Sequence, residues 1–287
     1  IDKYQLHYQV QFIASHGHTT FHLPHKKTTV QLGDGAAIAA ETGIPVISDL
    51  RALDVALGGQ GAPIVPIGDK LLFGEFSYCL NIGGIANISA RSADKYVSFD
   101  ICPANRVLNL LAANAGKVYD DGGAIAASGN VNPALLATLN NFPFYGEQYP
   151  KSLSNDFGVG VIYPLILQEE SRTENALRTY TEHIALQVTA AVEQIKKNIS
   201  PETEPATMLV TGGGAFNTFL IQSIREQVKQ HNIELLVPDE KIIQYKEALV
   251  MALIGVLRWR EENNVMSSVT GAMRNSVGGA IWMGQEA

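Results

Sequence analysis

The sequence predicts a layered α/β protein, and three observations support this prediction. Three strand-like runs follow one another within about 25 residues, between Tyr78 and Asp100, a spacing that short strands of a meander require. Helix and strand patterns then alternate, as in sheets covered by helices. Glycine-rich segments directly follow two of the apolar runs, where an open α/β sheet usually binds its ligand. The length of 287 residues allows one or two domains.

The first region, which ends at a weak change in composition near Gly74, alternates strands with a short helix. We predict strands at 10–14, 28–32 and 45–48, where short apolar runs occur. A helix is predicted over 36–41, ended by Gly43.

The second region begins with a predicted hairpin, because strands at 78–82 and 85–89 flank Gly83 and Gly84. Three more strands are predicted, at 96–100, 208–211 and 234–237. Helical spacing of apolar residues predicts helices at 104–115, 132–139, 175–198, 217–231 and 243–261. Residues 140–163 are predicted to form a long irregular loop, either a binding loop or a solvated connector. Residues 265–282 have no strong pattern.

Charge and composition exclude several classes of protein. The net charge is −7 and Lys and Arg do not cluster, which argues against a nucleic-acid binder. Two cysteines, Cys79 and Cys102, indicate a reduced, cytoplasmic protein and not a disulfide scaffold. The longest apolar run, 248–257, is too short to span a membrane, and we expect no secretory signal.

Four glycine-rich segments are candidates for ligand binding: GGQGAP (58–63), NIGGIAN (81–87), YDDGG (119–123) and TGGGAFN (211–217). Glycine lets backbone N–H groups approach an anion without a Cβ in the way. TGGGAFN also opens a predicted helix, whose N-terminus favours negative charge. A tight turn is the simpler interpretation of any one of them. None matches the P-loop or the dinucleotide fingerprint.

Several charged side chains have two interpretations each. Asp100 ends a strand, so it either faces a substrate crevice or caps the next helix. His16, His18 and His22 could suggest zinc, but hydrogen bonding or a structural role is favoured because no further ligand pattern accompanies them.

Two other charged groups precede or interrupt apolar segments. Asp49, Arg51 and Asp54 precede the GGQGAP segment and are either functional residues or a solvated ion-pair face. Glu247 interrupts an apolar helix and therefore needs a partner, either a protein donor or a ligand hydroxyl.

Taken in order, seven segments resemble one family. They are ASHGHTTFH, SDLRALDVALGGQGAP, NIGGIANIS, FDICPAN, DDGG, TGGGAFN and SVTGA. The chain resembles the anhydro-N-acetylmuramic acid kinase family of the acetate/sugar kinase–Hsp70–actin superfamily, over nearly its whole length. GGQGAP paired with NIGGIANIS is quite specific to that family. The family's first phosphate loop, of the form GTSxDGxD, lies upstream of the matching region, and these 287 residues lack it.

The resemblance implies an ATP- and Mg²⁺-dependent sugar kinase that converts 1,6-anhydro-N-acetylmuramic acid and water to N-acetylmuramic acid 6-phosphate. Such enzymes serve cytoplasmic peptidoglycan recycling. The alternatives are a kinase for another sugar, or a catalytically impaired homologue that binds a sugar. An Hsp70-like or actin-like assembly protein is disfavoured because GGQGAP would have no role in it.

The resemblance also implies roles for individual residues. Asp100 would be the general base, and no metal ligand is assigned. Nucleotide-binding residues would be Asn81, Gly83, Gly84, Asn87, Gly212, Gly213, Gly214 and Asn217. Sugar-binding residues would be His16, Gly59, Gln60, Asn105 and Glu247.

Three motifs depart from the family pattern. The family's usual FDTGPGN reads FDICPAN here. Asp100, Pro103 and Asn105 are kept, whereas Ile101 and Cys102 stand where the family has a hydroxyl residue and a glycine. The family's HGQ reads His16-Gly17-His18, and a downstream Asp reads Asn109.

The fold that the resemblance implies is a two-domain, actin-like (ribonuclease H-like) α/β fold with ATP and sugar in an interdomain cleft. We expect domain I at 1–73 with the tail 263–287, and domain II at 74–262. The expected partners are a small sugar and a second copy in a homodimer, with neither nucleic acid nor membrane.

Overall fold

The computed structural model describes residues 1–6, 9–92, 95–154, 156–197 and 205–284. Two compact units share the chain: a first unit of Ile1–Leu72 with Tyr245–Ala287, and a second unit of Phe73–Gln244. Residues 245–262, which we had expected in the second domain, group with the first unit. Close packing explains this, since a Cβ at Gly255 would lie 2.7 Å from Phe12 Cε2.

Ten strands are present: β1 (Ile13–Ala14), β2 (His18–Leu23), β3 (Thr28–Leu32), β4 (Val46–Ser48), β5 (Tyr78–Ile82), β6 (Ile85–Ser92), β7 (Lys95–Pro103), β8 (Ala206–Thr211), β9 (Ile233–Leu236) and β10 (Ala280–Trp282), counted over the described residues. The α-helices in the same residues are α1 (Gly35–Thr42), α2 (Ala52–Ala56), α3 (Pro66–Leu72), α4 (Asn105–Ala113), α5 (Ala124–Ser128), α6 (Pro133–Asn140), α7 (Pro143–Gly146), α8 (Tyr163–Glu169), α9 (Thr173–Lys196), α10 (Thr218–Lys229), α11 (Glu240–Trp259) and α12 (Ser267–Thr270). A π-helical segment, Phe157–Ile162, precedes α8.

The second unit is built on a five-stranded sheet in the order β7-β6-β5-β8-β9. The first three strands form an antiparallel meander, and β8 and β9 run parallel to β5. This mixed sheet, combined with helices along the chain, confirms the predicted α/β fold class. Helix α9 packs its apolar face into the core, where Leu177, Ile184, Val188 and Val192 are fully buried.

The first unit contains a three-stranded sheet and a separate hairpin. Strand β4 lies between β1, which is parallel to it, and β10, which is antiparallel. Strand β10 is held in part by Trp282, whose Nε1 donates to Ser48 Oγ at 3.0 Å. Strands β2 and β3 form the hairpin.

Most predicted elements are confirmed within a few residues, and Gly43 ends α1 in a left-handed conformation. The predicted helix over 175–198 is α9, with Asn198 outside the described residues. Strand β2 was missed because its sequence HTTFHL is largely polar. The predicted irregular loop contains α7 and the π-helical segment, and the patternless tail contains α12 and β10.

Within the described part of the chain, no helix has both the length and the apolar character that crossing a bilayer requires.

Candidate functional site

A cavity of about 450 Å³ in the second unit lies beside the glycine-rich segments. This volume lies in the range typical of small-molecule sites. The loop that follows β8 lines this cavity, and the turn that follows β5 is its neighbour because the two strands are parallel with Asn81 opposite Thr211. The residues that line it are Asn105, Leu108, Asn109, Tyr119, Asp120, Asp121, Gly122, Gly213, Gly214, Phe216 and Asn217.

The three glycines of TGGGAFN serve different purposes. Gly212 has a φ of 83°, and a Cβ there would lie 2.7 Å from Ile82 O. A Cβ at Gly214 would collide with the Ile82 side chain. Gly213 is exposed, and an added Cβ would meet only Asn105 Nδ2, at 3.4 Å. The outer glycines therefore allow close packing on β5, whereas the middle glycine faces the cavity.

The predicted hairpin between β5 and β6 is present, but its glycines are not required by the backbone. Neither Gly83 nor Gly84 has a positive φ. A Cβ at Gly83 would lie 3.5 Å from Ile85 O, and one at Gly84 would lie 3.7 Å from Arg106 Nε, which are ordinary contacts. A small side chain could therefore be accommodated at either position.

The same turn fixes the start of α4. The amide of Asn105 donates to Gly83 O at 3.0 Å, and the amide of Ala104 donates to Gly84 O at 2.8 Å. The side-chain Nδ2 of Asn105 donates to Ile82 O at 3.0 Å. Asn105, expected on the sugar side, therefore lines the cavity with the glycine-rich segments.

The remaining predicted nucleotide residues have identifiable structural roles. Asn217 Oδ1 accepts from the Leu220 amide at 3.0 Å and caps α10. Asn81 and Asn87 are half-buried partners across β5 and β6.

Two aromatic side chains at the cavity were missed by the sequence analysis. Tyr119 is 58% exposed and Phe216 is 46% exposed. The DDGG segment beside them is held by Asp120, which accepts from the Ile125 and Ala126 amides at 2.8 and 2.9 Å. The sequence does place Tyr119 and Phe216 within glycine-rich segments, and this position could have indicated that they lie at the cavity. Exposed rings of this kind suit a planar base.

Asp100 lies on β7, opposite Asn87, at a bulge where Ile101 is the extra residue. Its Oδ2 accepts from the Leu153 amide at 2.8 Å, and its own amide donates to Lys151 O at 3.2 Å. Helix α4 has no side-chain cap and its N-cap residue is Ala104. The capping interpretation of Asp100 is therefore wrong.

The environment of Asp100 suits proton transfer near neutral pH. Burial raises the pKa of Asp100 to about 6, and the hydrogen bond from Leu153 N–H partly opposes that rise. A general base works best with a pKa near the working pH.

The departures from the family motif beside Asp100 are core residues. Ile101 and Cys102 are buried in the hydrophobic core. Burial, together with the nearby Asp100 charge, raises the pKa of the Cys102 thiol. The thiol is therefore protonated and unreactive.

Residues 140–153, which include the hydrogen-bond partners of Asp100, are held in place by further polar contacts. Lys151 Nζ donates to Phe144 O at 3.1 Å and lies 4.7 Å from the Phe144 ring centroid. His183, fully buried, contacts Asn140 Oδ1 at 2.7 Å and the Tyr145 hydroxyl at 3.1 Å. Burial lowers the pKa of His183 to about 3, so the ring is neutral.

The first unit gathers His16, Arg51 and the GGQGAP segment. Arg51 donates through Nε and through its second terminal nitrogen to His16 Nε2, at 3.1 and 2.7 Å. Its first terminal nitrogen donates to Gly61 O. His16 Nδ1 lies 2.8 Å from Gly17 O. Burial and then the Arg51 charge lower the pKa of His16.

Asp54 anchors the GGQGAP segment, which corrects the prediction of a solvated ion-pair face. It is 1% exposed, and its carboxylate accepts from the Gly61 amide and the Thr270 hydroxyl, each at 2.7 Å. A Cβ at Gly59 would collide with this carboxylate. Gln60 donates its amide to Thr270 O at 2.8 Å, and its side chain is exposed.

The expected buried carboxylate on α11 is exposed instead. Glu247 faces solvent, although its charge acts on His16 and Arg51. The buried charge is its neighbour Lys246, which pairs with Asp69 at 2.6 Å. The sequence pattern placed the correct turn of the helix in the interior but did not show which of the two residues points inward.

The histidines do not converge on one point. His18 is exposed, and His22 Nδ1 lies 3.0 Å from Thr29 Oγ1. Across the described ranges, no group of three or more His, Cys, Asp or Glu side chains is arranged to hold a metal ion.

Comparison with known proteins gives one consistent family. The family model described as anhydro-N-acetylmuramic acid kinase matches residues 2–284. Curated proteins of that name are 34% identical in Saccharophagus degradans, 33% in Haemophilus influenzae and 32% in Vibrio vulnificus. Each match covers 96% of this chain and 75–76% of the relative.

Among solved structures, one match is the activator of the 2-hydroxyisocaproyl-CoA dehydratase from Clostridium difficile with bound ADPNP. It has a TM-score of 0.39 and 17% identity, and the match covers 71% of this chain and 64% of that one.

Proposed function

The chain belongs to the anhydro-N-acetylmuramic acid kinase family, and on this premise we propose that it converts 1,6-anhydro-N-acetylmuramic acid, ATP and water to N-acetylmuramic acid 6-phosphate and ADP. The reaction would recycle bacterial peptidoglycan in the cytoplasm. The half-buried Asp100, with its pKa of about 6, is the observation that carries the proposal, because opening an anhydro bond with water needs a base.

Asp100 takes the proton from water as the water oxygen bonds to the anomeric carbon. The bond from that carbon to the bridging oxygen breaks, and the released oxygen accepts the γ-phosphoryl group. A glycosidase needs a second carboxylic acid to protonate its leaving oxygen, whereas phosphoryl capture makes that acid unnecessary here. The hydrogen bond from the Leu153 amide to Oδ2 orients the Asp100 carboxylate.

The glycine-rich cavity is the proposed nucleotide site. Gly213 lines the cavity, and Gly83 and Gly84 form the turn that binds the start of α4; all three present backbone without side chains, as close approach of phosphates requires. Tyr119 and Phe216 offer rings for the base. Mg²⁺, which the kinase family implies, would neutralise the phosphate charge and is usually bound by the phosphates with few protein ligands.

The sugar-binding role falls to the first unit, through the GGQGAP segment and the His16–Arg51 pair. The alternatives to this function are a kinase for another sugar and a catalytically impaired sugar-binding homologue. A homodimer in the cytoplasm remains our prediction for assembly and location.

A coupled assay of ADP release tests the proposal. The purified protein receives ATP and Mg²⁺ with the anhydro sugar, with N-acetylglucosamine, or with no sugar. We expect ADP only with the anhydro sugar, one equivalent for each N-acetylmuramic acid 6-phosphate. Sugar binding without ADP would favour the impaired homologue, and ADP formed with another sugar would favour the other kinase.

A further inference from the structure

The ring of His16 has no free nitrogen for a substrate. Nδ1 lies 2.8 Å from Gly17 O, so it must carry the proton and donate, since a carbonyl oxygen only accepts. Nε2 then carries the lone pair, and it accepts two N–H groups from Arg51. A direct sugar contact through this ring, which the family resemblance suggested, would require one of these bonds to break.

Arg51, in contrast, has N–H donors beyond those that its described hydrogen bonds use. A guanidinium has five N–H groups, and two bonds to His16 with one to Gly61 O use three of them. The two that remain are on the two terminal nitrogens, one on each. Side-by-side N–H groups at this end form the fork that binds a carboxylate in a bidentate manner.

No carboxylate among the described residues pairs with that fork. Asp54 is committed to the Gly61 amide and the Thr270 hydroxyl. Glu247 is exposed and influences Arg51 by its charge, without an ion pair in the described part of the chain. Arg51 is half-buried, its described hydrogen bonds go to a neutral ring and a carbonyl, and the charges of Glu247 and Asp54 reach it without a described ion pair, so it can bind an external anion.

We propose that Arg51 binds the lactyl carboxylate of the muramic acid sugar, and that His16 is a positioning residue that aims the guanidinium. This inference rests on the proposed function for the identity of the sugar. The carboxylate is the only charged group of the anhydro sugar, and N-acetylglucosamine lacks it. Arg51 would therefore make the protein select acidic amino sugars over neutral ones.

Calorimetry with N-acetylmuramic acid and N-acetylglucosamine measures this selectivity without turnover. A charge-assisted bidentate pair predicts that the wild-type protein binds the acidic sugar about 10- to 100-fold more tightly. Arg51→Gln should bring the ratio of the two affinities close to one. Arg260→Gln, which removes an exposed arginine paired with Glu262, is the matched control and should keep the wild-type ratio.

Two further variants separate positioning from folding. His16→Phe removes the acceptor for Arg51 and should lower the affinity ratio, whereas His16→Gln restores an acceptor and should recover most of it. A merely structural role for His16 would not give this rescue. If Arg51→Gln fails to fold, Arg51→Lys keeps the charge without the fork, and it should still lose most of the selectivity.

The outcomes distinguish this inference from the proposed function. Turnover of the anhydro sugar with unchanged selectivity in both Arg51 variants would overturn the role of Arg51 and leave the kinase function intact. Selective binding that depends on Arg51, without turnover of the anhydro sugar, would overturn the kinase function and retain an acidic-sugar site.

Discussion

At the scale of single residues, the protonation of Asp100 depends on two opposing influences. Burial favours the neutral acid, whereas the Leu153 amide favours the carboxylate by donating to it at 2.8 Å. Because the pKa of about 6 lies above the ordinary value of 3.8, the basic form is present above pH 6 and is lost as the pH falls through 6.

We therefore predict that kcat/KM for the anhydro sugar falls on the acid side with a midpoint near pH 6. A pH–rate profile of the wild-type protein measures this directly. A limb near pH 4 would indicate a carboxylate that is not buried, and would remove Asp100 as the base.

Leu153→Pro removes the donated N–H and should move the acid limb to higher pH, since the carboxylate loses a favourable contact. Leu153→Ala keeps the N–H and serves as the control. Equal acid limbs in the two variants would show that this amide does not tune Asp100.

At the scale of elements, the TGGGAFN segment combines a packing role with a binding role. Gly214→Ala forces a Cβ against Ile82 and should cost about 1–3 kcal/mol of unfolding free energy through overpacking. Gly213→Val should leave stability nearly unchanged and weaken nucleotide binding roughly tenfold, or 1.4 kcal/mol, because the side chain enters the cavity. Urea unfolding and a nucleotide titration test the pair, and the reverse assignment of effects would contradict it.

Helices α3 and α11 are joined within the first unit by the buried pair of Asp69 and Lys246. Asp69→Asn removes the negative charge that pairs with the buried Lys246 ammonium and should destabilise the protein by about 3–5 kcal/mol. The double variant Asp69→Leu with Lys246→Met should recover much of that loss. Urea unfolding of the three proteins measures it, and a single variant as stable as the wild type would show that the pair contributes little.

At the scale of the whole molecule, patterns of short range predicted most of the fold. Alternation and helical spacing located the meander and the long helices, because those periods follow from local geometry. Contacts between distant residues could not be predicted this way. The bond between Thr270 and Asp54 joins positions 216 residues apart, and with the burial of Asp54 it shows that this residue is an anchor and not a surface charge.

The roles of the site residues stay predictions. Family resemblance supplied Asp100 and the glycine-rich segments, and the structure gives the burial and the contacts of each. The family resemblance could not predict the aromatic rings at the cavity, the hydrogen bonds made by both His16 nitrogens, or the exposure of Glu247. These features depend on side-chain directions that a sequence does not contain.

The most direct measurement of the central claim is product formation by wild-type and Asp100→Asn proteins, followed by mass spectrometry under single-turnover conditions with ATP, Mg²⁺ and the anhydro sugar. We predict one N-acetylmuramic acid 6-phosphate per ADP for the wild-type protein, and no product from a folded variant that still binds nucleotide. Near-normal product formation by Asp100→Asn would contradict the account.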